Sequence, residues 1–281
     1  MSDRLLLVDG MNLHFQMFFG MPARILNSKG KAIQGVMGFV GAIRKIVEMT
    51  KPTHVLVVFD GEHHNPRTDL DAEYKSNRPD YSELPAEENP FDQLPDVYAA
   101  LDAMGIAHCE TLVCEADDLI ASYVKEYEHT HDMTICSFDS DFFQLIGPNV
   151  RVLRYRGERS VFCDQDYLRA KYGIEGTQYV DFKSLTGDNA DNIRGIDGVG
   201  PKTASRLINR YGDIEKLIEE CGSLENERLR RLVECGTERF RLNRKLITMD
   251  SNQNLPYSIE LLGFSGSIPK TRDVLTSIGL L

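Results

Sequence analysis

No apolar run in the chain approaches the ~20 residues needed to span a bilayer. The opening Met1-Ser2-Asp3-Arg4, followed by four apolar residues, lacks the basic region, longer apolar stretch and cleavage site of a signal peptide, so a cytoplasmic protein without a membrane partner is the expectation. The six cysteines, at 109, 114, 136, 163, 221 and 235, contain no Cys-x-x-Cys pair. That removes zinc-ribbon and dithiol redox motifs and leaves reduced thiols as the simplest state. No histidine or cysteine has a convincing metal-ligand spacing, and there is no internal repeat or low-complexity tract. Basic residues are in deficit: 32 Lys and Arg against 43 Asp and Glu, a formal charge of −11. Taken alone, that argues against a polyanionic partner. The 281 residues, 42% hydrophobic and 27% charged, suit one large α/β domain with a small second one, or two modest domains.

What is present is acid at strand ends. Three short apolar runs finish in aspartate: Leu5–Val8 with Asp9, His54–Phe59 with Asp60, and Met133–Phe138 with Asp139. Runs of this kind predict strands buried on both faces. Ligands of open α/β sheets bind beyond the carboxyl ends of such strands. More acids stand nearby: Glu115, Asp117 and Asp118 at a predicted helix start, Asp141 two residues after Asp139, and Asp188 with Asp191. The last pair has i, i+3 spacing, which on a helical turn puts both on one face. The Glu115-Ala116-Asp117-Asp118 segment alone reads as an N-terminal cap suited to the helix dipole, and a lone strand-end aspartate is more often a cap than a ligand. Nine acids in such clusters are hard to explain as caps, because crowded carboxylates repel and raise each other's pKa. Hard oxygen donors suit Mg²⁺ or Mn²⁺. Nine exceed one ion's needs, so two ions forming a clamp for phosphoryl displacement are expected.

The second signal is Gly195-Ile196-Asp197-Gly198-Val199-Gly200-Pro201-Lys202-Thr203-Ala204. Gly198 and Gly200 allow a tight turn and close approach to a ligand, and Pro201 suits the first turn of a helix. Amide groups there can hold phosphate without reading bases. Basic residues concentrate in 194–245, among them Arg194, Lys202 and Arg206, and local basic surface decides phosphate binding rather than the total. Elsewhere the pattern predicts a turn after Asp9, helices at about 34–49, 94–104 and from Glu115, and a β-hairpin over 151–162 with basic residues on one face. Residues 61–96 carry many charges, five prolines and no long apolar face, and 251–281 has no clear structure.

Together these motifs resemble the 5′-nuclease family, that is, bacterial and phage flap endonucleases and the N-terminal 5′-nuclease domain of bacterial DNA polymerase I. The resemblance covers roughly residues 4–250. It is carried, in order, by Leu6–Gly10, Gly35–Phe39, Val57–Asp60, Tyr74–Pro79, Glu115–Asp118, Phe138–Asp141, Leu185–Asn192 and Gly198–Ala204. It implies a PIN-like α/β fold: a mostly parallel central sheet flanked by helices, a helical-arch insertion, and a C-terminal helix–hairpin–helix subdomain. The expected divisions are a nuclease core over 1–180 containing the arch at 61–96, a DNA-binding subdomain over 181–250, and an extension over 251–281.

The resemblance assigns Asp9, Asp60, Glu115 and Asp117 mainly to one metal and Asp139, Asp141 and Asp188 mainly to a second, with Asp118 and Asp191 completing the site. Lys75 and Arg78 match a basic pair aimed at the scissile phosphate, and Arg67 a basic residue nearer the arch base. Residues 195–204 match the element that grips duplex backbone, often with K⁺ on main-chain carbonyls; Arg194, Gly198, Gly200, Lys202, Thr203 and Arg206 join Arg67 as expected DNA contacts. Arg194 stands where many relatives carry proline, and Ser137 where they carry a small or threonine-type residue. The arch is otherwise acidic, with Asp69, Asp71, Glu73, Asp80, Glu83, Glu87, Glu88 and Asp92. No polymerase segment follows in this sequence, so a stand-alone, monomeric nuclease is expected. Its implied activity is two-metal hydrolysis of DNA near a single-strand/duplex junction, on branched or nicked DNA with a 5′ flap or end and also on an RNA primer strand. A catalytically weak DNA-binding protein and a PIN-type ribonuclease are the alternatives.

Overall fold

A computed structural model describes residues 3–81, 84–85 and 87–281. Glu83, counted above among the arch acids, lies outside them. Six strands form one sheet: β1 (Asp3–Asp9), β2 (His54–Phe59), β3 (Ala107–Glu110), β4 (His131–Cys136), β5 (Val150–Arg154) and β6 (Val161–Cys163), in the order β3-β2-β1-β4-β5-β6. Only β6 is antiparallel. A separate two-stranded ribbon pairs β7 (Gly187–Asp188) with β8 (Ile193–Arg194). The helices are α1 (Gly10–Gly20), α2 (Gln34–Thr50), α3 (Pro66–Leu70), α4 (Leu94–Ala103), α5 (Ala116–Tyr127), α6 (Gln165–Tyr172), α7 (Tyr179–Thr186), α8 (Pro201–Tyr211), α9 (Ile214–Glu219), α10 (Glu227–Ile247) and α11 (Thr271–Ser277).

The continuous apolar runs do sit in strands covered on both sides. Leu5, Leu7, Leu56, Val58, Met133 and Ile135 face a core with α5, α6 and α7. Leu6, Val8, Val55, Val57 and Cys136 face the opposite core with α2 and α4. Because side chains alternate along a strand, every residue of these runs is used. β1 lies between β2 and β4, with Asp9 opposite Val58 and Val8 opposite Cys136. That register brings Asp9, Asp60 and Asp139 to one edge of three neighbouring parallel strands.

Several expectations needed correction. The chain does not merely turn after Asp9; it enters α1 at once, with the Asp9 carboxylate accepting from the Asn12 amide at 3.0 Å. Gly10 is required there because a Cβ would lie 2.6 Å from the Phe59 ring. Asp188 and Asp191 sit on the β7–β8 ribbon and its turn, not on a helical turn. The arginines of the β5–β6 hairpin do not share a face. Arg151 lies over Phe162, on the side of Leu153, while Arg154 lies over Phe143, on the side of Val152. Among the described residues the insertion holds the five-residue α3, turns and a short 3₁₀ segment at Pro90–Gln93. Residues after 250 return to the sheet: Phe264 donates to Thr53, and Val274, Leu275 and Leu280 join the α2–α4 core. Among the described residues no helix is long and apolar enough to cross a membrane.

Candidate metal centre

The carboxylates are held by neighbouring chain segments before any ion is considered. Asp9 uses its second oxygen to accept from the Ser137 hydroxyl at 2.8 Å. Asp60 accepts from the Ala116 amide at 2.8 Å, so it caps α5 from the adjacent strand. Glu115, at the N-cap position of α5, makes no cap bond of its own and is free to reach elsewhere. Asp139 accepts from the Asp141 amide and Asp188 from the Ala190 amide, each at 2.8 Å.

Carboxylate oxygens of Glu115, Asp117 and Asp118 lie within 4.8 Å of one another, a spacing that suits a shared cation. The remaining acids connect through their fields. Burial first, then Asp60, pushes Asp9 up to about 7, against the bonds from Asn12 and Ser137. Burial raises Asp139, with Asp191 and Asp188 adding to the rise. Burial, then Asp139, lifts Asp141 well above its ordinary range, and Asp188 and Asp191 contribute. Asp117 is likewise raised strongly, by burial and then by Glu115. Unpaired buried carboxylates are costly. One oxygen of Asp141 is buried without a hydrogen-bond partner. An all-oxygen donor set, clustered, desolvated and with an unserved oxygen, fits hard divalent cations.

The cations expected nearby are present, with one departure. Lys75 pairs with Glu115. Arg78 reaches Asp191 at 3.1 Å. Burial pulls Glu115 upward, yet Lys75 and Arg67 outweigh it and hold Glu115 below its ordinary value. Arg67, expected among the DNA contacts, is instead 8% exposed and buried against acids. It bonds both oxygens of Asp118, at 2.7 and 3.0 Å, and contacts Glu115 and the Thr248 carbonyl. Asp118 also accepts from the Asp250 amide at 2.7 Å, so its oxygens serve the join between insertion, α5 and the end of α10. The Arg67–Asp118 pair is therefore an internal anchor of the arch base.

Sequence pattern missed three residues here. Lys183 on α7 pairs with Asp188 and lies 3.9 Å from Asp141. Ser137 links Asp9 to the Asp139 amide. Asn12 caps nothing with its side chain but accepts from the Phe138 amide at 3.0 Å, tying the same two strand ends. A lone Lys, Ser or Asn has no periodicity to betray it; register with the acids was the available clue. Of the remaining expected DNA contacts, Arg194 is on β8, in the ribbon that carries Asp188, and the others stand at the turn before α8 and on its first turns. Arg194, Gly198, Gly200, Lys202 and Arg206 are exposed and Thr203 partly so. Gly198 has φ +87°, which explains glycine at that turn. Arg194 is paired with Asp197 at 2.6 Å.

Residues 4–173 match the 5′-3′ exonuclease N-terminal resolvase-like domain, and residues 174–269 match the 5′-3′ exonuclease C-terminal SAM fold. DNA polymerase I of Rhizobium leguminosarum is 32% identical over 269 residues, 93% of this chain and 26% of that protein. DNA polymerase I of Bacillus subtilis is 32% identical over 266 residues, 94% of this chain and 30% of that protein. The chain thus spans less than a third of the length of these relatives. In architecture it superposes on the bacteriophage T5 D15 flap endonuclease, in a complex with DNA and metal ions, with a TM-score of 0.73 at 21% identity, covering 98% of this chain and 99% of that one. The catalytic core of Rad2 with DNA gives 0.63 at 16% identity, covering 99% and 89%. With family domains matched over both parts and relatives 32% identical along more than nine-tenths of its length, the chain belongs to the 5′-3′ exonuclease family.

Proposed function

We propose that the chain hydrolyses DNA phosphodiesters near single-strand/duplex junctions, as a 5′-3′ exonuclease and flap endonuclease, leaving a 5′-phosphate and a 3′-hydroxyl. The observation that carries this reading is the convergence of strand-end, helix-start and ribbon acids on one buried centre, beside Lys75 and Arg78. Asp9, Asp60, Glu115 and Asp117 would hold one Mg²⁺ or Mn²⁺, and Asp139, Asp141, Asp188 and Asp191 a second. Bound there, such ions polarise the phosphate and lower the pKa of an attacking water. Lys75 and Arg78 add positive charge where the phosphate gains negative charge, a role usually worth a few kcal/mol per donor. The exposed start of α8, with Gly198, Gly200, Lys202, Thr203 and Arg206, would hold duplex backbone through amides and cations, and K⁺ on the carbonyls of that loop fits the same role.

The test is a DNA flap labelled at its 5′ end, incubated with Mg²⁺ or with EDTA, beside an RNA strand of the same shape. Mg²⁺-dependent release of a flap-length fragment from DNA is expected. Release of only mono- or dinucleotides would restrict the activity to an exonuclease. Tight binding without cleavage would overturn the proposal in favour of a DNA-binding role, and preference for RNA in favour of a ribonuclease.

A further inference from the structure

Two short segments meet beside the acidic centre: residues 73–78 of the insertion and the turn 188–192 between β7 and β8. Asn192 is exposed, and its side-chain amide crosses to the insertion, donating to the Glu73 carbonyl at 2.9 Å and the Ser76 hydroxyl at 3.1 Å. Asn77 donates in the opposite direction, to the Asn189 carbonyl at 3.0 Å. The Lys75 backbone amide donates to the Asp191 carbonyl, also at 3.0 Å, and the Arg78 guanidinium reaches the Asp191 carboxylate.

Backbone conformation singles out the same place. Among the described residues three non-glycine positions have positive φ: Lys51, Lys75 at +56° and Asn192 at +57°. Lys51 closes α2, remote from the acids. The other two face each other across this junction. A left-handed backbone is unfavourable for a residue with a Cβ and persists where the surroundings over-determine it. Asparagine tolerates it better than most residues, whereas lysine has no such excuse. Lys75 is therefore kept in its conformation by the bond from its amide to Asp191 and by the neighbouring bonds that Asn192 makes to 73 and 76.

We propose that Asn192 is a positioning residue, which docks the 73–78 segment onto the turn carrying Asp188 and Asp191 and thereby sets where Lys75 and Arg78 stand. The proposal rests on the reading of those two cations as groups acting on the scissile phosphate. It makes the insertion and the second acid group a single unit, so that the charges of the arch are placed relative to Asp188 and Asp191 rather than carried on an independent loop.

Asn192→Gly tests this, because glycine adopts the same backbone freely and only the amide is removed. The expected result is a drop in kcat on 5′-flap DNA of about tenfold to a hundredfold, the usual consequence of misplacing a reacting group. KM for DNA, the Mg²⁺ concentration for half-maximal rate and the thermal midpoint should change little. In the double variant with Lys75→Ala the combined loss should fall short of the product of the two, since the part of the Asn192 effect that runs through Lys75 is already gone and only the part through Arg78 remains. Unchanged kcat in Asn192→Gly, or losses that multiply, would overturn the positioning role. If Lys75→Ala and Arg78→Ala themselves cleave at the unaltered rate, the reading beneath it falls and takes the proposal with it. Asn77→Ala acts on the exposed opposite side of the junction and keeps the test decisive should Asn192→Gly fail to fold. It should lower kcat less, with the same failure to multiply.

Discussion

Ser137 has one hydroxyl proton and two neighbours to serve. The Asp139 amide can only donate, so the hydroxyl accepts there at 3.0 Å and must spend its proton on Asp9. It thereby ties the Asp9 carboxylate to the backbone of Asp139 across the carboxyl ends of two adjacent strands. Outer partners of this kind typically change metal affinity or activity by about 10- to 100-fold. Ser137→Ala should weaken Mg²⁺ binding within that range, read by calorimetric titration without DNA, while Ser137→Thr restores it; equal affinity in all three would refute the role. Asp9 makes a second prediction. Its folded pKa of about 7 stands above the ordinary 3.8. Between those values the unfolded chain gives up a proton that the folded chain keeps, so the metal-free fold loses stability as pH rises from 4 to 7. A shift of that size is worth about 4 kcal/mol. In EDTA, Asp9→Asn should therefore melt above the unaltered protein at pH 8, and the advantage should shrink toward pH 4, although cleavage is lost. Parallel melting curves across that range would contradict this. Glu115 runs the other way, since Lys75 and Arg67 hold it low, but its window lies below its ordinary 4.5. Most of the acids were legible in sequence because they end an apolar run or open a helix, and Asp188 and Asp191 stood out by their spacing alone. What each carboxylate leans on was not, because Ser137, Asn12 and Lys183 join the site through strand register and helix placement alone.

Among the elements, the β7–β8 ribbon is the smallest and has the least room. A Cβ at Gly187, whose φ is +76°, would sit 2.3 Å from the Gly195 amide, and one at Gly195 would sit 2.3 Å from the Thr186 carbonyl. Backbone meets backbone on both sides, so no side chain can give way. Gly195→Ala should separate the ribbon from the end of α7, displace Asp188 and lower stability by about 1–3 kcal/mol, as forced overpacking generally does. Cleavage should fall further than the melting point suggests, because Asp188 is borne by that ribbon; a variant with full activity would show that the ribbon tolerates the insertion. Sequence pattern read this segment as helical because i, i+3 spacing is shared by helical turns and by four-residue turns in ribbons. It missed α1 because Asp9 and Gly10 look like a strand's end, and the cap that Asp9 provides is visible only in space. It missed β3 because Ala-His-Cys-Glu has no β-branched residue, and its pairing with β2 supplies what local propensity does not. Long strands and amphipathic helices such as α2 and α5, by contrast, carry their own periodicity.

At the scale of the whole molecule, acid and base are segregated. The formal charge of −11 is concentrated where carboxylates converge and along the insertion, while arginines line α8 and α10. Many of the latter are committed within the fold: Arg239 to Asp71, Arg241 to Glu215 and Arg244 to Asp181. Such pairs spend charge on joining α10 to the insertion, α9 and α7, so they are poor candidates for releasing counter-ions from DNA. Lys202 and Arg206 at the start of α8 are exposed. Affinity for duplex DNA should therefore fall steeply with salt, and the slope of log affinity against log salt should shrink by about one for each of Lys202→Ala and Arg206→Ala. Asp139→Ala, which alters the acidic centre, should abolish cleavage and leave that slope unchanged when binding is measured in EDTA. If the acid variant changes the slope as much as the two basic ones, binding and cleavage share one surface. If Arg241→Ala lowers the slope as well, its pair with Glu215 opens on DNA, and the basic face of α10 extends the grip beyond α8.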